Sequence, residues 1–393
     1  MKKIRALPKD ENIKRDLNFS VDEIFFSNLT MLPFRLVFLC LIGIIKIGFS
    51  QVVQSNEWQV AAQYGQGVVL PEYQFVHSLA NKPINQLEIS FIKQTNGSNY
   101  WQQLYKYPKF GIAVLFSTLG NKQVFGDEIA LYPFFTLYSF KSPKLIWEHS
   151  LGLGLGWATR KFDLNDNYKN IAVGSNLNVH FTARTNLQFL LNDRWKFNAG
   201  LIFHHFSNAN LKEPNLGINS VAVLSGLVYS LNPKSPVINL EIPIFTPKNE
   251  FAFVYSAGGK HTRALQSKVY FTSSMSIEYK RKWKRKFQYG GGLDLFYDAA
   301  TETEFNGLGK ANYKDIYAFR TGIHFSQEFI YNRFSFILQE GIHLLLTDRV
   351  NHNIMYNRAI MRYKWGKHFF THISMKSHLH ILDYPECGFA YYF

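Results

Sequence analysis

The chain has 393 residues, 47% hydrophobic and 17% aromatic, with 36 Phe and 22 Tyr, yet its mean hydropathy is only -0.13. Side chains this apolar, spread without long apolar runs, point to many alternating strands. The net charge of +15 would suit nucleic acid, but an exported chain meets little of it, and anionic lipid phosphate fits the balance better.

In chain order, residues 1–30 are polar and read as an upstream extension or a mis-assigned start, with Met31 as the alternative initiator. Residues 31–50 read as a signal peptide: the apolar run from Leu32 to Ser50 has a core too short to span a bilayer, which takes about 20 apolar residues. Gly48 and Ser50 have the spacing of a signal-peptidase site, which places cleavage before Gln51. Cys40 leaves with that segment, so the mature chain keeps Cys387 alone and has neither a disulfide framework nor a thiolate metal site.

From residue 56 onward, sixteen candidate strands follow, near 56–64, 86–94, 109–117, 127–139, 145–157, 175–191, 194–207, 218–231, 236–257, 268–280, 285–298, 315–329, 333–347, 355–365, 368–380 and 384–393. Several split by parity. Phe334, Phe336, Leu338, Ile342 and Leu344 face one way, and Arg333, Ser335, Gln339 and His343 the other. Polar residues buried in a soluble sandwich are costly, whereas a membrane barrel has a polar lumen and an apolar exterior. The expected fold class is therefore all-β: one transmembrane antiparallel β-barrel over residues 51–393, with about 14 strands, roughly 12 to 16.

The chain ends Gly388-Phe389-Ala390-Tyr391-Tyr392-Phe393, which resembles the terminal assembly signal of bacterial outer-membrane barrels. Counting back from a periplasmic C-terminus, tight turns fall at 140–143, 192–193, 281–284, 331–332 and 365–367. Longer connections at 118–126, 158–174, 208–217, 299–314 and 348–354 then fall outside, the usual asymmetry of such barrels.

Most of the chemistry sits in residues 204–219. Trp195, Phe197, Ala199, Leu201 and Phe203 share a strand face, and by the same parity His205 and Ser207 lie on it. In the next strand Asn219 shares the apolar face with Val221, Val223, Leu227 and Tyr229. A serine, a histidine and an amide on the greasiest face suit an enzyme whose substrate is a lipid.

His205-Phe206-Ser207-Asn208-Ala209, Lys212, and Pro214-Asn215-Leu216-Gly217-Ile218 resemble the signature of the outer-membrane lipid A 3-O-deacylase family (PagL type), also described as acyloxyacyl hydrolase. The resemblance implies an outer-membrane serine ester hydrolase that removes an acyl chain from lipid A, the lipopolysaccharide anchor, at the lipid-facing outer rim. Ser207 would be the nucleophile and His205 the general base. The family's acid position holds Asn219, which can orient the imidazole but not neutralise its charge. Asn208, Asn215 and Gly217 are the candidate oxyanion and substrate-loop residues, and Glu213 is a nearby charge off the family spacing. No metal or organic cofactor is implied. Rival readings are an outer-membrane phospholipase and an inactive channel or lipopolysaccharide-binding barrel.

Two other features stand out. His368, His372, His378 and His380 share one parity and read as a luminal polar ladder rather than a metal site. The run Lys280-Arg281-Lys282-Trp283-Lys284-Arg285-Lys286 resembles a nucleic-acid patch in composition only; at a periplasmic turn it would touch phospholipid phosphates or be solvated.

Overall fold

A computed structural model describes residues 57–71, 73–232, 237–262, 268–379 and 381–393. The expected signal peptide and extension lie outside these residues. Strands β1 (Glu57–Val69), β2 (Ile84–Gln94), β3 (Lys109–Thr118), β4 (Asp127–Lys141), β5 (Leu145–Ala158), β6 (Leu177–Leu190), β7 (Trp195–Ser207) and β8 (Ile218–Ser230) form one closed antiparallel barrel. A second barrel holds β9 (Lys248–Lys260), β10 (Tyr270–Lys284), β11 (Phe287–Asp298), β12 (Phe319–Tyr331), β13 (Phe334–Leu344), β14 (Met355–Lys364), β15 (Phe369–His378) and β16 (Ile381–Tyr392).

The expectation of one barrel of about 14 strands is thereby corrected to two closed eight-stranded barrels. β1 closes on β8 from Gln59↔Ser230 to Val69↔Ser220, and β16 closes on β9 from Glu386↔Gly258 to Tyr392↔Ala252. The segment read as a single strand at 236–257 concealed the division. Its first part, which includes Pro243 and Pro247, is not strand, and β9 starts only at Lys248. Proline supplies no ladder N–H, so this segment links the barrels instead of joining a sheet.

Eight strands leave an interior just wide enough for side chains, and both lumens are filled by paired polar groups. In the first, Glu88 accepts hydrogen bonds from Arg184, Tyr132 and Ser90, and Lys109 Nζ donates to Glu148 at 2.7 Å and Gln188 at 2.9 Å. In the second, Asp294 meets His324 at 2.6 Å and Arg358 at 3.3 Å, and Lys280 meets Glu328 at 2.8 Å. The exteriors are apolar: Ile112, Leu131, Leu155, Val223, Ile277 and Leu293 are all more than half exposed. This is the inverted pattern of a barrel whose outside meets lipid.

Most short turns gather at one end of each barrel and most long loops at the other; the long β2–β3 connection at the turn end and the short β15–β16 connection at the loop end are exceptions. At the loop end of the first, Val69, Ile84, Leu119, Phe125, Val173, Ile202, Phe206, Ile218 and Leu224 form an apolar plug beneath the 208–217 loop. The barrels touch at both ends. Near the turns, Tyr105, just after helix α1 (Tyr100–Leu104), donates to the carbonyl of Ile330, and Phe135 stacks on Tyr331 at 5.2 Å. Near the loops, Asn210 Nδ2 donates to the Asp383 carbonyl at 3.1 Å.

Candidate active site

His205 is the third-from-last residue of β7 and Asn219 the second of β8, and the register sets them opposite each other. Directly paired residues hold their Cβ atoms about 5 Å apart, within side-chain hydrogen-bonding reach. Ser207, two residues beyond His205, returns to the same face because strand side chains repeat every second residue. All three project from the outer wall while His204 and Phe206 point inward, as strand parity anticipates.

The imidazole bridges the other two. His205 Nδ1 lies 2.6 Å from Asn219 Oδ1, and Nε2 lies 2.8 Å from Ser207 Oγ. An amide oxygen only accepts, so Nδ1 carries the proton and Nε2 presents a lone pair to the serine hydroxyl. That tautomer is the one a general base requires. Ser207 is buried, and His205 and Asn219 are half-buried.

The loop after Ser207 turns through Ala209 and Asn210 at φ +54° and +61°, where asparagine is tolerated better than most residues. The Asn208 N–H donates to Asn215 Oδ1 at 3.0 Å, and Asn208 Nδ2 donates to the Lys212 carbonyl at 2.6 Å. Gly217 N–H donates to the Ala172 carbonyl at 2.9 Å. Two of the candidate oxyanion donors are thus committed within the protein, and Asn215 Nδ2 is the uncommitted one among the described residues. Gly217 contributes shape instead. Its φ is +76°, and a Cβ there would lie 3.2 Å from Ser207 Cβ and 3.3 Å from His205 Cε1.

Glu213 is not brought to the imidazole. It lies near Lys260 and His261, at and just after the end of β9; burial pushes its carboxyl above the usual range, and the coulombic influence of these two neighbours only partly opposes the rise. The sequence reading also missed the loop at 159–176 as a partner of the motif. Ile171 and Ala172 carbonyls accept from Leu216 and Gly217, and Gly174 packs against the Lys212 and Pro214 carbonyls. These are backbone contacts with no residue-type signature.

Four other histidines serve the lumen or its rim. His204 Nε2 lies 3.1 Å from Gln86 Oε1, His372 Nε2 lies 2.8 Å from Ser256 Oγ, and His378 Nε2 lies 3.1 Å from Asp383 Oδ2. His368 Nδ1 donates to the Tyr392 carbonyl at 2.7 Å. His380 lies outside the described residues.

A β-barrel with a polar lumen, an apolar exterior and a hydroxyl, an imidazole and an amide aligned on that exterior defines the class: a membrane-type barrel with a hydrogen-bonded polar cluster on its outer wall. Residues 85–228 match the family described as "Lipid A 3-O-deacylase (PagL)", and residues 249–393 match "Acyloxyacyl hydrolase, C-terminal domain". The chain belongs to this PagL lipid A deacylase and acyloxyacyl hydrolase family, a family of hydrolases. The first match spans β2 to β8 and the second coincides with the second barrel.

Among solved structures, the chain is similar to the outer membrane enzyme PagL at 18% identity, covering 42% of this chain and 97% of that one, with a TM-score of 0.32. It is similar to Neisserial surface protein A at 11% identity, covering 46% of this chain and 100% of that one, with a TM-score of 0.30. The toluene transporter TodX of Pseudomonas putida is 9% identical, with 89% of this chain and 91% of that one covered and a TM-score of 0.16. A comparison with curated proteins finds no match.

Proposed function

We propose that this chain is an outer-membrane lipid A ester hydrolase that removes an acyl chain, by 3-O-deacylation, through a Ser207 acyl-enzyme. The observation that carries the reading is His205 bridging Ser207 and Asn219 on the lipid-facing wall. A substrate lying in the outer leaflet reaches this wall sideways, without leaving the membrane.

Ser207 Oγ attacks the ester carbonyl while His205 Nε2 takes its proton. The tetrahedral oxyanion collapses as the sugar oxygen leaves and takes that proton back from the imidazole. Water, deprotonated by the same nitrogen, then attacks the acyl-serine and releases a fatty acid. Asn219 holds the tautomer and ring plane through both steps, and Asn215 Nδ2 is the assigned side-chain oxyanion donor.

The phospholipase reading uses the same residues and differs in substrate. Conduction is disfavoured, because both lumens are occupied by paired side chains. The test is mass spectrometry of lipid A from a Gram-negative host producing the protein or its Ser207→Ala variant at equal outer-membrane levels. Loss of one hydroxyacyl mass with the parent alone is expected. An unchanged lipid A profile together with fatty-acid release from phospholipid would replace this reading with the phospholipase one.

A further inference from the structure

The basic run at 280–286 takes no part in the proposed chemistry. Its first member, Lys280, points into the lumen, fully buried between Glu278 at 3.2 Å and Glu328 at 2.8 Å. Lys282 shares its strand parity and is half-buried. β10 continues to Lys284 and the chain reverses at Arg285 and Lys286, which are half-buried with their cations over the Phe245 and Tyr105 rings at 5.6 and 4.6 Å. Arg281 and Lys284 are the exposed cations of this hairpin. The tight turn expected at 281–284 is therefore strand.

The neighbouring hairpins of the same rim add Arg333, Lys364 and Lys367, and β9 begins with Lys248. Among the described residues, none of these cations forms an ion pair. Glu250 is the one acidic side chain on these strand ends and turns, and it accepts from Gln288 Nε2 at 2.9 Å. The opposite rim is mixed: Lys268, Lys310, Lys314 and Arg349 share it with Glu302 and Asp315. A rim that merely kept the protein soluble would not need one sign at one end only.

Aromatic side chains fix the depth of the cations. Trp283 is 54% exposed and Trp365 62% exposed, and the Arg281 guanidinium lies 4.3 Å from the Trp283 ring. Exposed tryptophans at the edge of a barrel's apolar band mark the boundary between hydrocarbon and headgroup. The adjacent ammonium and guanidinium groups therefore stand at the level of the lipid phosphates.

We infer that the turn-end rim of the second barrel is a binding surface for the phosphate headgroups of anionic glycerophospholipids. The cations are spread over several hairpins instead of converging on one pocket, so they suit a row of headgroups rather than one free anion. The surface is at the end of the molecule opposite the candidate site. It holds lipid of one leaflet while the site faces the other.

The test is native mass spectrometry of the full-length protein equilibrated with equal amounts of phosphatidylglycerol and phosphatidylcholine of the same acyl chains. The parent should retain phosphatidylglycerol at least about tenfold over phosphatidylcholine, since each cation near a membrane surface adds to the attraction. Replacing Arg281, Lys284, Arg333 and Lys367, all exposed, by Gln should bring the ratio toward one, with Ser207-dependent deacylation unchanged. Arg333→Gln with Lys367→Gln, confined to two exposed turns, should give an intermediate ratio and covers the case in which the fourfold variant does not fold. Equal retention by the parent, a preference that survives neutralisation, or complete stripping of the lipid by equimolar inorganic phosphate would each overturn the inference.

Discussion

At the scale of single residues, the quality of the proposed base depends on Asn219. An amide oxygen sets the tautomer of His205 but leaves the imidazolium that forms during proton transfer without a counter-charge. In a triad whose aspartate is exchanged for asparagine the rate falls about 10⁴-fold, largely through the wrong tautomer. Here the 2.6 Å contact to Oδ1 already selects the productive one, so only the charge is missing. Asn219→Asp should therefore raise kcat roughly tenfold or more, and Asn219→Ala should lower it by about 10²; stopped assays of fatty-acid release would decide. A drop on adding the carboxylate would mean that the site has no need of that charge. Gly217 offers an independent check. Alanine there is strained at φ +76° and presses on both Ser207 and His205, so Gly217→Ala should lower kcat more than it changes KM. The spacing of histidine and serine and their shared face were legible in the sequence because strand parity is local. Parity placed Asn219 on the same face, and its role as partner of His205 was implied by the resemblance to the family's spacing. Which N–H groups remain for an oxyanion was not legible, because carbonyls from another loop consume them.

At the scale of elements, the motif loop is shaped from outside itself. Leu216 and Gly217 donate to Ile171 and Ala172, and a Cβ on Gly174 would lie 2.5 Å from the Pro214 carbonyl and 2.6 Å from that of Lys212. Backbone atoms cannot swing aside as a flexible side chain can. Gly174→Val should therefore shift the 208–217 loop and reduce deacylation several-fold while the strands stay paired, which an unchanged heat-dependent gel mobility relative to the parent would report. Full activity in that variant would show that the 159–176 loop does not position the motif. Most long loops could be placed at one end from the alternation of turn lengths. Their mutual contacts could not, since glycine and small apolar residues carry no signal of partner choice.

At the scale of the whole molecule, sixteen strands were countable while their closure was not. Alternation specifies which face of each strand is greasy, and it is the same whether β8 passes on to β9 or returns to β1. The prolines of the 236–247 stretch held the available clue, but an apolar pattern continuing through them obscured it. Closure changes the energetics, because each barrel then contains its own charge partners. In the first, Glu57 pairs with Lys196, Glu88 with Arg184 and Lys109 with Glu148, and breaking such a buried pair costs about 3–5 kcal/mol. None of these pairs reaches the second barrel, and no strand edge of the first is left open. Residues 57–230 should accordingly fold alone into a heat-modifiable barrel in detergent. The fragment loses the Asn210 contact to Asp383 and the Lys260 and His261 field around Glu213. Its deacylation of lipid A should persist at a reduced rate and recover little on adding the second barrel in trans, where the short linker no longer holds the two together. A fragment that folds with undiminished activity would show that the second barrel does nothing for the site. One that fails to close would show that the seam between β1 and β8 depends on contacts the second barrel supplies.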